Sequence, residues 1–129
     1  MVIPTMSIDK KGEFMELGIT GRRAIISGAS SGLGEACAIA LAWEGAEVVV
    51  VARTKENIEA AARKITMLTG SKATAVAADI NTDEGRQAVL DACPEPDIIV
   101  NNSGGPPTGD FRDWDRQTWI AVLNNNMLG

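Results

Sequence analysis

The residues best suited to bind a ligand form a cluster of glycines and serines between positions 27 and 34. This cluster reads Ser27-Gly28-Ala29-Ser30-Ser31-Gly32-Leu33-Gly34 and follows an apolar run directly. Glycines permit a positive φ angle and let the backbone approach a phosphate, and the free N–H groups at a helix start attract an anion. The hydroxyls of Ser30 and Ser31 add donors. The segment indicates a site for a phosphate-bearing nucleotide, and a glycine-rich connection without a ligand is the alternative.

The hydrophobic pattern around this cluster alternates between strands and helices. The predicted strands are 22–27, 47–53, 73–79 and 97–102, and the predicted helices are 35–44, 55–69, 82–92 and 115–129. Such short connections require parallel strands joined by right-handed helical crossovers. The sequence therefore predicts an α/β fold with a Rossmann-type doubly wound parallel sheet, in which the glycine cluster lies between the first strand and the first helix.

The apolar residues of the helices lead to expectations about packing. Helix 35–44 has little polar surface, so we expect it to be buried on several sides, with Cys37 as a small core hydrophobe. Helix 55–69 has one apolar stripe for the core, made of Ile58, Ala61, Ala62, Ile65 and Leu68. We expect the three tryptophans, Trp43, Trp114 and Trp119, to be core or interface anchors.

Composition argues against several classes of function. The chain has 129 residues with 12 Lys plus Arg, 17 Asp plus Glu and a formal net charge of −5, whereas nonspecific nucleic-acid binding needs clustered cations. Cys37 and Cys93 do not have a metal-knuckle or disulfide spacing, so we expect no metal and a reducing cytoplasm. No apolar run approaches the ~20 residues that span a bilayer, so no membrane association is expected.

Four motifs resemble those of the short-chain dehydrogenase/reductase family. The spacing Gly28-x-x-x-Gly32-x-Gly34 is similar to the family's glycine motif, and Asn101-Asn102-Ser103-Gly104 resembles its Asn-Asn-Ala-Gly signature. Asp79-Ile80 resembles its adenine-pocket pair. Asn126, seven residues after Trp119, resembles its catalytic asparagine. The resemblance covers residues 16–129, so we interpret 15–129 as the N-terminal part of one Rossmann domain and 1–14 as a leader without a function.

The resemblance implies an incomplete sheet of order 3-2-1-4 and a cofactor-binding half of an oxidoreductase acting on a carbonyl/alcohol pair. The predicted cofactor-binding residues are Gly28, Ser30, Ser31, Gly32, Leu33, Gly34, Arg53, Asp79, Ile80, Asn102, Ser103 and Gly104. Asn126 is the predicted catalytic residue, in a proton relay, with an ordinary polar helix position as the alternative. For Asp79 the alternative is a cap or turn residue. The expected partners are a small carbonyl or alcohol substrate and, for the full-length protein, further copies in a homodimer or homotetramer.

The end of the second strand predicts the choice of cofactor. NAD enzymes place an acidic residue there for the ribose 2′-hydroxyl, whereas NADP enzymes place a cation. This chain has Ala52 followed by Arg53, which favours NADP(H) over NAD. A solvated surface arginine is the alternative, and the same Arg53 argues against a methyltransferase.

The sequence also departs from the family in one severe respect. The family's chemistry needs a Tyr-x-x-x-Lys pair and a preceding Ser, and this chain contains no Tyr and no His. We therefore expect the 129-residue chain to be inactive alone. The second hypothesis is a non-catalytic nucleotide-binding or interaction module on the same fold.

Overall fold

The computed structural model describes residues 7–8, 14–15 and 17–128. Two short strands, β1 (Ser7–Ile8) and β2 (Phe14–Met15), pair antiparallel with each other. The rest of the predicted leader lies outside the described residues, and so does Gly129. The expectation that the leader has no function stays a prediction.

A sheet of four parallel strands positions the glycine cluster. The strands are β3 (Arg23–Ser27), β4 (Glu47–Ala52), β5 (Ala73–Ala77) and β6 (Ile98–Val100). Their order is β5-β4-β3-β6, which confirms the predicted order 3-2-1-4. The chain moves outward from β3 to β4 and β5 and then returns to the other side of β3. This reversal creates a topological switch point between β3 and β6, where α/β sheets bind ligands.

Helices connect the strands and cover both faces of the sheet. The helices are α1 (Gly32–Trp43), α2 (Lys55–Thr69), α3 (Asp83–Ala92) and α4 (Arg116–Leu123), with a 3₁₀ turn at Phe111–Asp113 and a π-helical turn at Asn124–Leu128. Among the helices of the described residues, none has the length and apolarity needed to cross a membrane.

The core follows the two-residue alternation of the strands. Ile26, Val48 and Val50 point to the face covered by α1 and α2, where Ile58 and Ile65 join them. The alternate residues Ile25, Val49 and Val51 point to the opposite face, where they pack with Val89 of α3 and with Cys93. Both faces are covered, as the continuous apolar run in β4 predicts for a parallel strand.

Helix α2 confirms the sequence prediction at both ends. It spans Lys55–Thr69 and is followed by Gly70, whose φ of +72° places it in the left-handed region. The Gly70 N–H donates to the carbonyl oxygen of Thr66 at 2.9 Å. Glycine adopts this conformation without the steric cost that a side chain imposes, so it ends the helix here.

The expectation that α1 is buried on several sides is wrong. Only Gly34, Ala38 and Ala42 are buried in this helix, because it contacts the sheet through a single stripe of small residues. Leu33 is 79% exposed, and Cys37 is exposed rather than a core hydrophobe. Helix α1 therefore has more apolar side chains than this part of the sheet covers.

Leu68 is also more exposed than predicted, and two of the three tryptophans lie outside the core. Leu68 is 53% exposed. It lies in the last turn of α2 and at the edge of the apolar stripe, about 80° around the helix from Ile58. Trp43 and Trp119 are exposed, so they are not core residues. Trp119 instead packs edge-on against Trp114, with ring centroids 5.1 Å apart.

Two strands end two residues earlier than predicted, and in both cases other hydrogen bonds replace the ladder. β5 ends at Ala77 because Asp79 enters a turn, where its carbonyl oxygen accepts the Thr82 N–H at 3.1 Å. β6 ends at Val100 because the N–H of Asn102 donates to the hydroxyl of Ser27 at 2.9 Å instead of continuing the strand pairing. These turns build the edge of the sheet at which the candidate site lies.

Candidate nucleotide-binding site

A cleft of about 510 Å³ lies at the carboxyl ends of the four parallel strands. Most of the predicted cofactor-binding residues line it: Gly28, Ser30, Ser31, Leu33, Arg53, Asp79, Ile80, Asn102, Ser103 and Gly104. Gly32, Gly34 and Asn126 do not line the cleft. The sequence reasoning missed the lining residues Thr54, Ala78, Asn81, Gly105 and Asn125, and it did not assign a role to Val51.

A buried hydroxyl joins the two loops at the switch point. Ser27, 5% exposed, donates from Oγ to the carbonyl oxygen of Asn102 at 2.7 Å and accepts the Asn102 N–H at 2.9 Å. Nδ2 of Asn102 donates in return to the carbonyl oxygens of Ser27 at 3.3 Å and Gly28 at 3.2 Å. Ser27 and Asn102 thus satisfy each other's polar groups. Ser27 therefore ties the end of β3 to the loop after β6.

The glycines of the cluster have different roles in the structure. Gly28 has a φ of +60°, and a Cβ at this position would lie 2.6 Å from Nδ2 of Asn102. A Cβ at Gly34 would overlap the carbonyl oxygen of Gly28, so this glycine lets α1 pack against the loop. Gly32 also has a positive φ, +62°, but no atom lies within 4 Å of where its Cβ would be. The backbone at Gly32 is therefore open to an approaching group.

The start of α1 has the features of an anion site. Ser31 precedes the helix and its side chain makes no capping hydrogen bond, so its hydroxyl is not committed to the helix. The N–H groups of the first turn and the helix dipole favour a negative group at this position. Glu35, the acidic residue of that turn, forms an ion pair with Lys64 at 2.7 Å, which offsets its repulsion of an anion.

The loop after β4 places one cation in the cleft. Arg53 lines the cleft and is exposed, and within the described residues it forms no ion pair or side-chain hydrogen bond. Lys55, two residues later, does not line the cleft and lies 3.9 Å from Glu59 in an ion pair. The guanidinium of Arg53 can therefore contact an anionic ligand group, as the sequence predicts.

The loop after β5 contributes a carboxylate, an apolar side chain and an amide. Oδ1 of Asp79 accepts the N–H of Asn81 at 3.0 Å, so Asp79 acts as a turn residue while it also lines the cleft. Ile80 is half-buried beside it. Gly85 allows the close approach of α3, since a Cβ there would overlap the carbonyl oxygen of Asp79.

The π-helical turn connects the cleft to α4 through two successive asparagines. Asn125 lines the cleft, and its Oδ1 accepts a hydrogen bond from Nδ2 of Asn81 at 3.1 Å. Asn126 lies behind the cleft wall, where its Oδ1 accepts from the Ser103 hydroxyl at 2.8 Å. The spacing from Trp119 singles out only Asn126 in the sequence. The run of three asparagines could have pointed to Asn125. A helix that packs on a sheet usually carries apolar residues, so three consecutive amides indicate polar contacts.

The carboxylates with lowered pKa values lie outside the cleft. The pKa of Asp97 is lowered chiefly by the backbone N–H of Arg23, with further contributions from the Arg22 side chain. The pKa of Asp115 is lowered by the backbone and hydroxyl of Thr118 at the start of α4. Both carboxylates stabilise strand and helix ends, and neither lines the cleft. Within the described residues there is no cluster of three or more metal-ligating side chains.

Comparisons with known proteins identify this arrangement. A sequence model described as short chain dehydrogenase matches residues 22–129. The chain belongs to the short-chain dehydrogenase family. The uncharacterized oxidoreductase YvaG of Bacillus subtilis (strain 168) is 34% identical over 118 residues, which are 88% of this chain and 44% of that protein. Glucose 1-dehydrogenase 2 of the same organism is 35% identical over 121 residues, 86% of this chain and 45% of that protein.

Solved structures of short-chain dehydrogenases share the same fold. L-Sorbose reductase from Gluconobacter frateurii, in a crystal structure with NADPH and L-sorbose, superimposes with a TM-score of 0.81 at 34% identity. The match covers 88% of this chain and 45% of that one. The chain thus spans about half the length of the short-chain dehydrogenases it matches, and the matched part is the one that forms the cleft.

Proposed function

We propose that this chain is the cofactor-binding half of an NADP(H)-dependent oxidoreductase that acts on a carbonyl/alcohol pair. The observation that carries the proposal is the cleft itself, which combines an open helix start with Arg53 at the end of β4. Phosphate groups fit the first feature and a 2′-phosphate fits the second. The similar L-sorbose reductase is in complex with NADPH, which supports the proposal.

The preference for NADP(H) over NAD rests on two neighbouring residues. Ala52 has no carboxylate to accept hydrogen bonds from a ribose 2′-hydroxyl, and Arg53 supplies a cation in the cleft. A hydrogen bond to a charged group contributes about 1.5–3 kcal/mol, which corresponds to roughly 10- to 150-fold in affinity. We therefore propose that Arg53 accounts for most of the discrimination between the two cofactors.

The residues of this chain would hold the cofactor rather than complete the reaction. The nicotinamide supplies or accepts a hydride when bound. Ser30, Ser31 and the α1 backbone would bind the pyrophosphate, while Asn102 fixes the loop that supports the ribose. We propose that Asn126 belongs to the proton relay. The acid/base Tyr and its Lys are not among these 129 residues, so proton transfer to the substrate requires groups outside them.

We also propose that the full-length protein forms a homodimer or homotetramer and lies in a reducing cytoplasm. Exposed apolar residues on α4 and the π-helical turn, among them Trp119, Leu123 and Met127, support a homodimer or homotetramer. Both cysteines are free thiols, which supports a reducing cytoplasm.

Titration of both cofactors tests the proposed function. NADPH and NADH are titrated calorimetrically into the protein, its Arg53→Ala variant and a Lys55→Ala control. We expect NADPH to bind tighter than NADH, and Arg53→Ala to lose roughly 10- to 150-fold of NADPH affinity. The affinity for NADH should change little, and Lys55→Ala should leave both affinities unchanged.

Two results would contradict the proposal in different ways. An equal loss of NADPH affinity in Arg53→Ala and Lys55→Ala would show that Arg53 acts only through the net charge near the cleft and not through a direct contact. Failure of the unaltered protein to bind either cofactor would contradict nucleotide binding as a whole and favour an interaction module.

A further inference from the structure

The π-helical turn at Asn124–Leu128 contains a side chain that competes with the helix backbone. In an α-helix the carbonyl oxygen of Val122 would accept the backbone N–H of Asn126, four residues later. In this structure Nδ2 of Asn126 donates to the same oxygen at 2.9 Å. A side-chain donor inserted into the helical ladder favours a wider turn, and the hydrogen bonds of a π-helix reach five residues instead of four. The Asn126 side chain therefore accounts for the π-helical turn at the end of α4.

The contacts of the Asn126 amide fix its orientation. A backbone carbonyl oxygen only accepts hydrogen bonds, so the amide nitrogen must face Val122 and the amide oxygen must face away from it. That oxygen, Oδ1, accepts from the Ser103 hydroxyl at 2.8 Å. Within residues 17–128 the Asn126 side chain makes no further hydrogen bond. Ser103 thus supplies the donor on which this orientation depends.

Ser103 and Asn126 differ in their relation to the cleft. Ser103 lies in the loop after β6 and lines the cleft, whereas Asn126 does not line it. The hydroxyl proton of Ser103 is committed to Asn126, and both ends of the Asn126 amide are in use. The Asn126 side chain therefore holds the turn and does not contact a ligand in the cleft. The part of Asn126 in proton transfer then depends on the shape of the turn.

We propose that Ser103 is a positioning residue for the oxidoreductase reaction. Its hydroxyl orients the Asn126 amide, the amide keeps the turn π-helical, and the turn places Asn126 for the proton relay. With alanine at position 103, Oδ1 of Asn126 loses this donor and the amide can rotate away from Val122. The inference rests on the proposed function, because it requires a full-length protein that reduces a carbonyl with NADPH.

Steady-state kinetics of the full-length protein test the positioning role. NADPH oxidation is followed with the best substrate from a panel of aldehydes and ketones, for Ser103→Ala, Ser103→Thr, Asn126→Ala and the double variant Ser103→Ala/Asn126→Ala. Ser71→Ala is the matched control, since the Ser71 hydroxyl donates to the carbonyl oxygen of Ala42 at 2.6 Å, away from the cleft. This control removes a serine hydrogen bond of the same kind and leaves the turn intact.

We expect Ser103→Ala to lower kcat by about 2- to 13-fold, the effect of one neutral hydrogen bond. Ser103→Thr keeps the hydroxyl and should restore kcat, while Ser71→Ala should leave kcat unchanged. In the Asn126→Ala background, Ser103→Ala should have no further effect on kcat, because Ser103 acts through Asn126.

Hydrogen exchange of the backbone amides of residues 124–128 reports on the turn itself and requires no turnover. Ser103→Ala should speed this exchange by about 2- to 13-fold, because the turn opens more often when the Asn126 amide loses a partner. Ser103→Thr should restore the slower exchange, and Ser71→Ala should not change it.

Three results would overturn the inference. Unchanged kcat or unchanged exchange in Ser103→Ala overturns it, while turnover by the unaltered protein preserves the proposed function. Additive losses in the double variant, with a raised KM for NADPH, also overturn it, since they assign Ser103 to a direct cofactor contact. Failure of the unaltered full-length protein to oxidise NADPH with any substrate of the panel overturns both the inference and the proposed function.

Discussion

The hydroxyl of Ser103 donates a 2.8 Å hydrogen bond to Oδ1 of Asn126, which ties the loop after β6 to the π-helical turn. Nδ2 of Asn126 donates to the carbonyl oxygen of Val122 at 2.9 Å. The Asn126 amide is therefore held at both ends, and the serine in the Asn-Asn-Ser-Gly segment has a structural partner that an alanine would not have.

A double-mutant cycle measures this tie. Ser103→Ala, Asn126→Ala and the double variant are unfolded with urea, and the coupling between the two side chains is calculated from the four free energies of unfolding. We expect a coupling of about 0.5–1.5 kcal/mol, at the lower end because the bond is exposed. Ser103→Thr, which keeps a hydroxyl, should retain it. A coupling of zero would contradict the tie.

The backbone at Gly32 predicts a selective loss of nucleotide binding. We place Gly32 at the closest approach to the cofactor, and we expect Gly32→Val to abolish NADPH binding because a β-branched side chain disfavours positive φ and fills the open space beside the helix start. Circular dichroism establishes whether the variant is folded, and NADPH fluorescence titration measures binding.

The Gly70→Val variant separates backbone strain from obstruction of the cofactor site as the cause of lost NADPH binding. Gly70 has a similar φ of +72° and equally open surroundings, but it ends α2 away from the cleft. Both variants should lose comparable stability from backbone strain, roughly 1–2 kcal/mol, while only Gly32→Val loses binding. A folded Gly32→Val variant that binds NADPH normally would show that the glycine loop is structural only.

The Asp97 carboxylate predicts a loss of stability in acid. Its Oδ2 accepts the Arg23 N–H at 2.8 Å and its Oδ1 lies 3.0 Å from Nη1 of Arg22, so its pKa is lower in the folded chain. A lowered folded pKa stabilises the fold above the unfolded value of about 3.9, and this stabilisation disappears as the pH falls through the folded pKa. Asp97→Asn should therefore be less stable than the unaltered chain at pH 7.

Urea unfolding between about pH 7 and pH 2 checks this dependence. The difference between Asp97→Asn and the unaltered chain should shrink below about pH 4. Asp113→Asn is the control, since Asp113 is exposed and its carboxylate makes no hydrogen bond within the described part of the chain. A stability difference that stays constant from about pH 7 to pH 2 would show that the substitution acts through side-chain packing rather than through loss of the carboxylate charge.

The 129-residue chain by itself should have no oxidoreductase activity. It contains no Tyr and no His, so the cleft has neither the phenol that the family uses for proton exchange with a substrate oxygen nor an imidazole to replace it. NADPH oxidation with a panel of aldehydes and ketones, followed by absorbance, checks this expectation. Turnover that scales with chain concentration would contradict it.

The same chain should self-associate through β6. This strand pairs only with β3 among the described strands, and Ile99 is 59% exposed on it. An unpaired apolar edge is a template for intermolecular strand pairing. Light scattering should show association that Ile99→Lys reduces, whereas Met67→Lys, an equally polar change on the exposed face of α2, should not. A monodisperse monomer would contradict the edge argument.

The sequence by itself predicted the four parallel strands, the helices between them and the position of the candidate site. α2 could be predicted to the residue because one stripe of Ile and Ala and a terminal glycine are local signals. The glycine cluster predicted an anion site at the start of α1 for the same reason, since positive φ and free N–H groups are properties of consecutive residues. The resemblance added the strand order, which periodicity alone does not fix.

Only the tertiary structure decided which side chains meet and how much of each helix is covered. Composition showed that α1 is apolar but not that the sheet covers a single stripe of it, because burial depends on what packs against each face. Asn81 and Asn125 are 44 residues apart and Ser103 and Asn126 are 23 apart, so no local pattern pairs them. Their contacts exist because the parallel strands bring the loops after β5 and β6 to one edge, where the π-helical turn lies across both.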